Sequence, residues 1–188
     1  MSIEKQNQIL NNATLLHDKA SIEAAIDKMA SQLCVDYQNS NPIFLVVMNG
    51  GLIFAGKLLP KLQFPAQIDY CHATRYRGET SGGELVWKAA PQMSLQGRHV
   101  LLIDDILDEG YTLKAIEAEC EKLGAASVKT VVLIEKHHDR KAEPNMKPDY
   151  CALTCPDQYI FGCGMDVEHY WRNTEAIYIH NPESSDDD

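Results

Sequence analysis

Four short apolar runs restrict the fold of this chain more than any other feature: IFLVVM (43–48), AQIDYCHA (66–73), HVLLID (99–104) and VKTVVLIEK (128–136). IFLVVM is too short and too rich in β-branched residues for a helix, and its unbroken hydrophobicity suits a buried strand. The other three are strand candidates. Helical patterns alternate with them. Residues 21–37 place Ile22, Ile26, Met29 and Leu33 on one helical face, with Ser21 as the expected N-cap. The turn-like NSNP (39–42) ends that segment. NGG (49–51) leads into an apolar helix that Pro60 limits. A further helix starts near Thr112 and stops at Gly124, a residue suited to a C-terminal cap. Strand, helix, strand in this order predicts an α/β domain, with a parallel sheet flanked by helices on both faces.

Between the second and third runs, TRYRGETSGGELVWKAAPQ (about 74–92) is polar, carries glycines and has no firm period, so a flexible lid loop is expected there. After residue 140, Pro144, Pro148 and Pro156 break the pattern into short β-like stretches around 150–153, 159–163 and 176–180. These predict a small hood subdomain, built partly from the N-terminal segment. The layout is a single domain over 1–183, with a core at about 40–140, a hood from the N-terminal segment and about 141–183, and an acidic disordered tail at 184–188. A chain of 188 residues can bury a proper core in one such domain. The formal net charge of −10 argues against nucleic acid or anionic membrane as a partner. No run reaches the ~18 apolar residues of a membrane span, and MSIEKQNQIL lacks the basic and apolar regions of a signal peptide. A cytoplasmic protein is expected. Cys34, Cys71, Cys120, Cys151, Cys155 and Cys163 lie in apolar contexts and are expected as reduced, buried thiols. Cys151 and Cys155 have no second ligand pair nearby, so no zinc site is expected.

VLLIDDILDEGYTL (100–113) carries the chemistry. Four apolar residues precede Asp104 and Asp105, two more follow, and then come Asp108, Glu109, Gly110, Tyr111 and Thr112. In open parallel sheets, ligands bind outside the carboxyl ends of the strands, where this acidic pair is expected. The loop 108–112 enters a helix, whose free N–H groups and dipole favour an anion. Gly110 lets the backbone approach a phosphate, and Thr112 adds a hydroxyl. Carboxylates beside such a cradle suit a sugar phosphate, accepting from ribose hydroxyls or holding Mg²⁺. The same residues also read as solvated strand-end aspartates, with Asp108 as a plain helix cap. A Walker site is excluded, because no glycine-rich stretch ends in Gly-Lys-Ser/Thr.

The order apolar strand, two acidic residues, two apolar residues, Asp, any residue, Gly, any residue, Thr resembles the phosphoribosyl pyrophosphate motif of type I phosphoribosyltransferases. VVMNGG (46–51) looks like that family's pyrophosphate loop. LIEKHHDRKAEPNMKPDY (133–150) and QYIFGCGMDVEHYWRN (158–173) look like the purine-binding hood of its bacterial-type hypoxanthine-guanine branch. The resemblance covers roughly residues 43–180, with the motifs in the family's order. It implies a type I phosphoribosyltransferase fold and a Mg²⁺-dependent purine-salvage enzyme. Such an enzyme converts hypoxanthine and guanine, with phosphoribosyl pyrophosphate, to IMP and GMP plus pyrophosphate, and works as a homodimer or homotetramer.

The resemblance also implies roles. Asp104 and Asp105 engage the ribose hydroxyls and a first Mg²⁺, and Asp166 holds a second. Asp108 is the catalytic residue, near N7 of the purine. Glu109, Gly110, Tyr111 and Thr112 wrap the 5′-phosphate. Asn49 and Gly50 belong to the pyrophosphate loop, with a cis peptide between Met48 and Asn49, and Arg172 reaches the pyrophosphate. Lys136 donates to the 6-oxo group, Tyr159 stacks on the base, and Ile160 pairs with it through its backbone. Arg75 and Tyr76 belong to the lid.

Without the family, Lys136 reads equally as a solvated strand-end lysine and Tyr159 as ordinary core. Asp166 and Arg172 need not meet, and His137 and His138 read as surface loop. Three positions depart from the family. Glu109 stands where Thr is common, and its side chain is expected to point away from the phosphate. Arg75-Tyr76 stands where Ser-Tyr is common, and Asn49 where the loop often carries Lys. Other functions stay open: a non-catalytic phosphoribosyl pyrophosphate sensor that regulates RNA, an enzyme of this fold for another base such as xanthine, adenine or a pyrimidine, or a receiver-type signalling domain.

Overall fold

The computed structural model describes residues 2–75 and 85–182, apart from the side chain of Arg75. In chain order the elements are α1 (Ile3–Asn12), β1 (Thr14–His17), α2 (Lys19–Tyr37), β2 (Ile43–Val47), α3 (Gly51–Leu58) with a 3-10 turn (Leu59–Lys61), β3 (Gln67–Arg75), β4 (Leu85–Ala89), β5 (His99–Leu107), α4 (Tyr111–Lys122), β6 (Ser127–Lys136), β7 (Tyr150–Cys155), β8 (Ile160–Phe161) and β9 (Ile177–Ile179). The main sheet runs β4-β3-β2-β5-β6-β7. Its five strands from β3 to β7 are parallel, and β4 is an antiparallel edge.

Period-2 alternation divides the core into two layers. Phe44 and Val46 of β2, with Leu101 and Ile103 of β5, face a cluster closed by Ile22, Ile26, Met29 and Leu33 of α2 and Phe54 and Leu58 of α3. Ile43, Leu45 and Val47, with Val100 and Leu102, face the opposite cluster, closed by Leu113, Ile116 and Cys120 of α4. Every residue of β2 is buried, which is why its sequence is apolar without alternation. Each such side chain stabilises the fold by roughly 1.5–3 kcal/mol relative to exposure.

A second sheet, order β1-β9-β8, is antiparallel and joins both ends of the chain. The Trp171 indole N–H donates to Gln6 O (2.9 Å), and the Gln6 side-chain amide donates to Glu168 (3.1 Å), fastening α1 beneath the 166–172 segment. Among the described residues no helix is long and apolar enough to cross a membrane.

The structure corrects several expectations. The N-cap of α2 is Asp18, not Ser21; its carboxylate accepts the Ser21 N–H at 2.8 Å, and the helix begins at Lys19. The 150–153 stretch, assigned above to the hood, is β7 and extends the main sheet in parallel beside β6. The expected loop at 74–92 contains the end of β3 and all of β4, because Leu85 and Trp87 alternate inward onto the α4-side core. The rest of that lid, 76–84, lies outside the described residues, as does the tail at 184–188. Cys71, Cys120, Cys155 and Cys163 are buried thiols, but Cys151 is exposed and Cys34 partly so.

Candidate active site

The sheet order creates one switch point. From β2 the chain crosses to β3 on one side, and later it continues from β5 through β6 to β7 on the other. A crevice therefore opens at the carboxyl ends of β2 and β5, the place where such sheets bind ligands. The β2–β5 ladder reaches Ile103, whereas the β5–β6 ladder continues to Leu107. Asp104 and Asp105 thus lie inside β5, not at its tip as expected, because β6 carries the strand onward. They occupy a notch bordered by the loop that follows β2.

That loop approaches the pair by backbone. The Met48–Asn49 peptide is cis. A Cβ on Gly50 would sit 2.3 Å from Asp105 Oδ2, and one on Gly164 (φ +114°) would sit 2.4 Å from Gly50 O. Three segments distant in sequence meet at these glycines. Arg172 closes the cluster: Nη1 donates to Gly164 O at 2.6 Å and lies 3.8 Å from Asp105 Oδ2, while Nη2 donates to Asp166. The Asp166–Arg172 pairing that spacing left open is therefore present, and the His169 N–H donates to the other Asp166 oxygen at 2.8 Å. Tyr159 is 54% exposed, not core, and its hydroxyl donates to Asp166 O at 3.2 Å. Ile160 faces Ile179 across β8–β9, and the neighbouring bond from His180 N–H to Tyr159 O (2.8 Å) makes this the non-hydrogen-bonded kind of pair. Its own N–H and C=O therefore point away from β9, toward the outer edge of the small sheet.

The acidic pair is electrostatically uncomfortable. Burial, and next the Asp105 carboxylate, push Asp104 well above the usual carboxylate range. Burial also raises Asp105, although its hydrogen bond with Asp104 and the charge of Arg172 oppose the shift. A carboxyl whose folded value is raised loses stabilising effect as pH climbs from the ordinary carboxylate range through that raised value. Asp104→Asn keeps an oxygen for the Asp105 N–H, which Asp104 Oδ1 accepts at 2.9 Å. The substitution should therefore stabilise the free protein at neutral pH, each 1 kcal/mol raising Tm by about 2–4 °C, and should flatten this part of the pH dependence. Thermal unfolding of both proteins across pH measures it; an unchanged or lowered Tm at neutral pH contradicts the account.

Asp108 stands just beyond β5. Its Oδ2 accepts from Lys136 Nζ at 2.6 Å, and its Oδ1 pairs with His138 Nε2 at 2.7 Å. Burial pushes Asp108 up, but the Lys136 and His138 bonds outweigh it and hold the carboxyl below its usual range. Lys136 is only 8% exposed, which rules out a solvated strand-end lysine. His138 is no surface residue either: its side chain is 2% exposed, whereas that of His137 is 62% exposed. His138 lies beyond the end of β6, so no strand period in the sequence places it. Lys141 was also missed. Its ammonium donates to Leu107 O (3.0 Å), Asp108 O (2.7 Å) and Lys136 O (2.8 Å), tying the end of β5 to the end of β6.

Asp108 is not the cap of α4. Gly110 holds that position at φ +86° and offers no side-chain cap. A Cβ there would also strike Met146 Sδ at 2.6 Å. The helix start, with Thr112 in its first turn, retains the donor character that suits an anion. The Glu109 side chain is exposed, and its carbonyl accepts the Ala142 N–H at 2.7 Å. Asn49, Gly50, Asp104, Asp105, Asp166 and Arg172 thus form one half of the site, and Asp108, Lys136 and the α4 start the other. The Arg75 side chain and Tyr76 lie outside the described residues.

A model of the phosphoribosyl transferase domain family matches residues 12–168. A hypoxanthine-guanine phosphoribosyltransferase of Streptococcus pneumoniae (strain ATCC BAA-255 / R6) is 32% identical over 164 residues, covering 87% of this chain and 89% of its own. A hypoxanthine-guanine-xanthine phosphoribosyltransferase of Tritrichomonas foetus is 31% identical over 165 residues, 88% of this chain and 90% of its own. The crystal structure of a hypoxanthine phosphoribosyltransferase from Staphylococcus aureus matches with a TM-score of 0.87 at 27% identity, covering 97% of each chain.

Proposed function

This chain belongs to the phosphoribosyl transferase domain family, and from that premise we propose that it makes IMP and GMP from hypoxanthine and guanine, with phosphoribosyl pyrophosphate as donor. The observation that carries the purine reading is the Lys136–Asp108 pair, a buried ammonium and a carboxylate 2.6 Å apart. A donor beside an acceptor matches the 6-oxo group and the N7–H of an oxopurine, and presents the wrong polarity to a 6-amino group. Exposed Tyr159 offers a ring to the base, and Ile160 offers backbone groups at a sheet edge.

In the reaction the C1–O bond to pyrophosphate breaks, the N9–C1 bond forms, and the proton on N7 passes to Asp108. Asp108, held in the carboxylate form, serves as the acceptor. Lys136 polarises the 6-oxo group. Thr112 and the first-turn amides of α4 hold the 5′-phosphate, while the exposed Glu109 side chain stays clear of it. Asp104 and Asp105 accept from the ribose hydroxyls. Arg172 and the Asn49–Gly50 loop hold the pyrophosphate, with Arg75 and Tyr76 in the lid above.

The donor set fits Mg²⁺: two adjacent carboxylates, both raised by burial and Asp104 further by the charge of Asp105, gain from a hard cation. When bound there, Mg²⁺ would offset charge gathering on the leaving pyrophosphate. Asp166 is committed to Arg172 and the His169 N–H, so it would hold a second cation only with Arg172 turned to the pyrophosphate. Assembly as a homodimer or homotetramer, and a cytoplasmic location, belong to the same reading and rest on family membership.

Purified protein supplied with phosphoribosyl pyrophosphate, Mg²⁺ and each base in turn tests the assignment. Hypoxanthine and guanine should yield nucleotide and adenine little, with xanthine as a further arm. Adenine as the best substrate would overturn it.

A further inference from the structure

We propose that His138 is a positioning residue for this transfer: it keeps the Asp108 carboxylate in its reacting orientation while Lys136 turns from Asp108 to the 6-oxo group. The inference rests on the function proposed above and adds a group that the purine motifs did not single out.

Both Asp108 oxygens are engaged in the free protein, Oδ2 by Lys136 and Oδ1 by His138. A bound oxopurine changes one side only. Lys136 moves to the 6-oxo group and N7–H takes Oδ2, so His138 is left holding Oδ1. Its ring is suited to that task because it is fixed at both ends. The Arg140 N–H donates to Nδ1 at 3.0 Å. Nδ1 is therefore the acceptor, the ring proton sits on Nε2, and Nε2–H donates to Asp108. A ring nitrogen's tautomer is set by the bond its partner makes.

The loop that carries the ring is braced against the loop that carries Asp108. Arg140 makes a two-pronged pair with Asp157 (2.6 and 2.8 Å). Lys141 donates to the Asp108 carbonyl, and the Ala142 N–H to the Glu109 carbonyl. The His138 side chain is 2% exposed and the Asp108 side chain 42% exposed, so the ring is enclosed and the carboxylate it holds is open to the crevice.

The charge environment predicts a pH signature. Besides Lys136 and His138, the titratable groups around Asp108 among the described residues are Glu109 beside it, Arg140 and Lys141 in the brace, Cys155 at the end of β7 and Asp157 beyond it. The His138 bond lowers Asp108, and its loss raises it toward the ordinary carboxylate range. The acid limb of the kcat profile should then move to higher pH.

The experiment pairs kinetics with spectroscopy on the full chain. His138→Ala should lower kcat about 10–100-fold, the size expected for an outer group that orients a working one. The KM for the base should change little, and the acid limb should move up. His138→Gln, whose side-chain amide reaches the Nε2 position, should recover most of the rate. If the alanine variant does not fold, His138→Asn replaces it, since its amide stops short of Asp108. A kcat close to wild type overturns the proposal, and so does a loss with an unmoved acid limb and no recovery in His138→Gln. In ¹⁵N-histidine spectra of the free protein, His138 should carry its proton on Nε2, and that signal should move in Asp108→Asn. Wild-type protein that turns over no purine overturns the proposed function and His138's part in it, while the spectrum still decides the His138–Asp108 bond. A proton on Nδ1, or an Nε2 signal unmoved in Asp108→Asn, overturns that bond.

Discussion

Asp108→Asn lowers kcat by about 10²–10⁴-fold, the range a placed acid–base group contributes, with a far smaller effect on phosphoribosyl pyrophosphate binding. The substitution nearly preserves shape, and an amide oxygen can still accept from Lys136 or His138. It cannot take up a proton. In the wild type, hydrogen bonds from Lys136 and His138 overcome burial and keep the carboxyl below its usual range, so the acceptor is ready at neutral pH. On the proposed reading, donor binding rests on Asp104, Asp105, Arg172 and the start of α4, none of which is altered. A selective loss in kcat is the mark of an interaction used in the transition state. Single-turnover and steady-state rates, with binding measured separately, separate the two. An unchanged kcat, with chemistry shown to limit the rate, would remove Asp108 from the mechanism.

Lys136→Met lowers kcat/KM for hypoxanthine and guanine on the order of 10²–10³-fold, because removing one partner of a charge pair that a bound base would desolvate costs about 2–5 kcal/mol. Methionine matches the lysine stem in reach and lacks the ammonium. Lys136 is 8% exposed and 2.6 Å from Asp108 Oδ2, so its loss strips the carboxylate and, on the proposed reading, the 6-oxo group of a donor. Adenine should lose much less, since its 6-amino group gains nothing from an ammonium facing it. The ratio of kcat/KM values between hypoxanthine and adenine therefore falls. A variant that keeps the wild-type ratio would show that base choice is made elsewhere.

How much of this could be read from the sequence follows from burial. β2, β5 and β6 are enclosed on both faces, and each announces itself as a nearly continuous apolar run. β4 escaped because Leu85 and Trp87 alternate with exposed Val86 and Lys88 next to a polar, glycine-bearing stretch. The start of α2 was misplaced because Ser21 is the residue whose N–H is capped, and the cap stands three positions earlier at Asp18. β7 looked like part of a hood because prolines flank it, yet its partner is β6. Within the site, Asp104, Asp105 and Asp108 were legible through local spacing. The contacts of His138, Lys141 and Arg172 depend on where separate loops pack, which no local pattern encodes.

The pairing of β1 with β9 has a consequence in time. Thr14 lies opposite Ile179, and β9 is the middle strand that connects β1 to β8. A ribosome makes β1 long before β9, so β1 waits for its partner while the strands of the main sheet are made. The main sheet, whose parallel strands follow one another closely in sequence, can form earlier. A chain cut off before Ile177 would carry the acidic notch and the phosphate cradle but leave the strand of Ile160 without a neighbour. On the proposed reading, the edge that pairs with the base is thus completed only after Lys136 and Asp108 have been made.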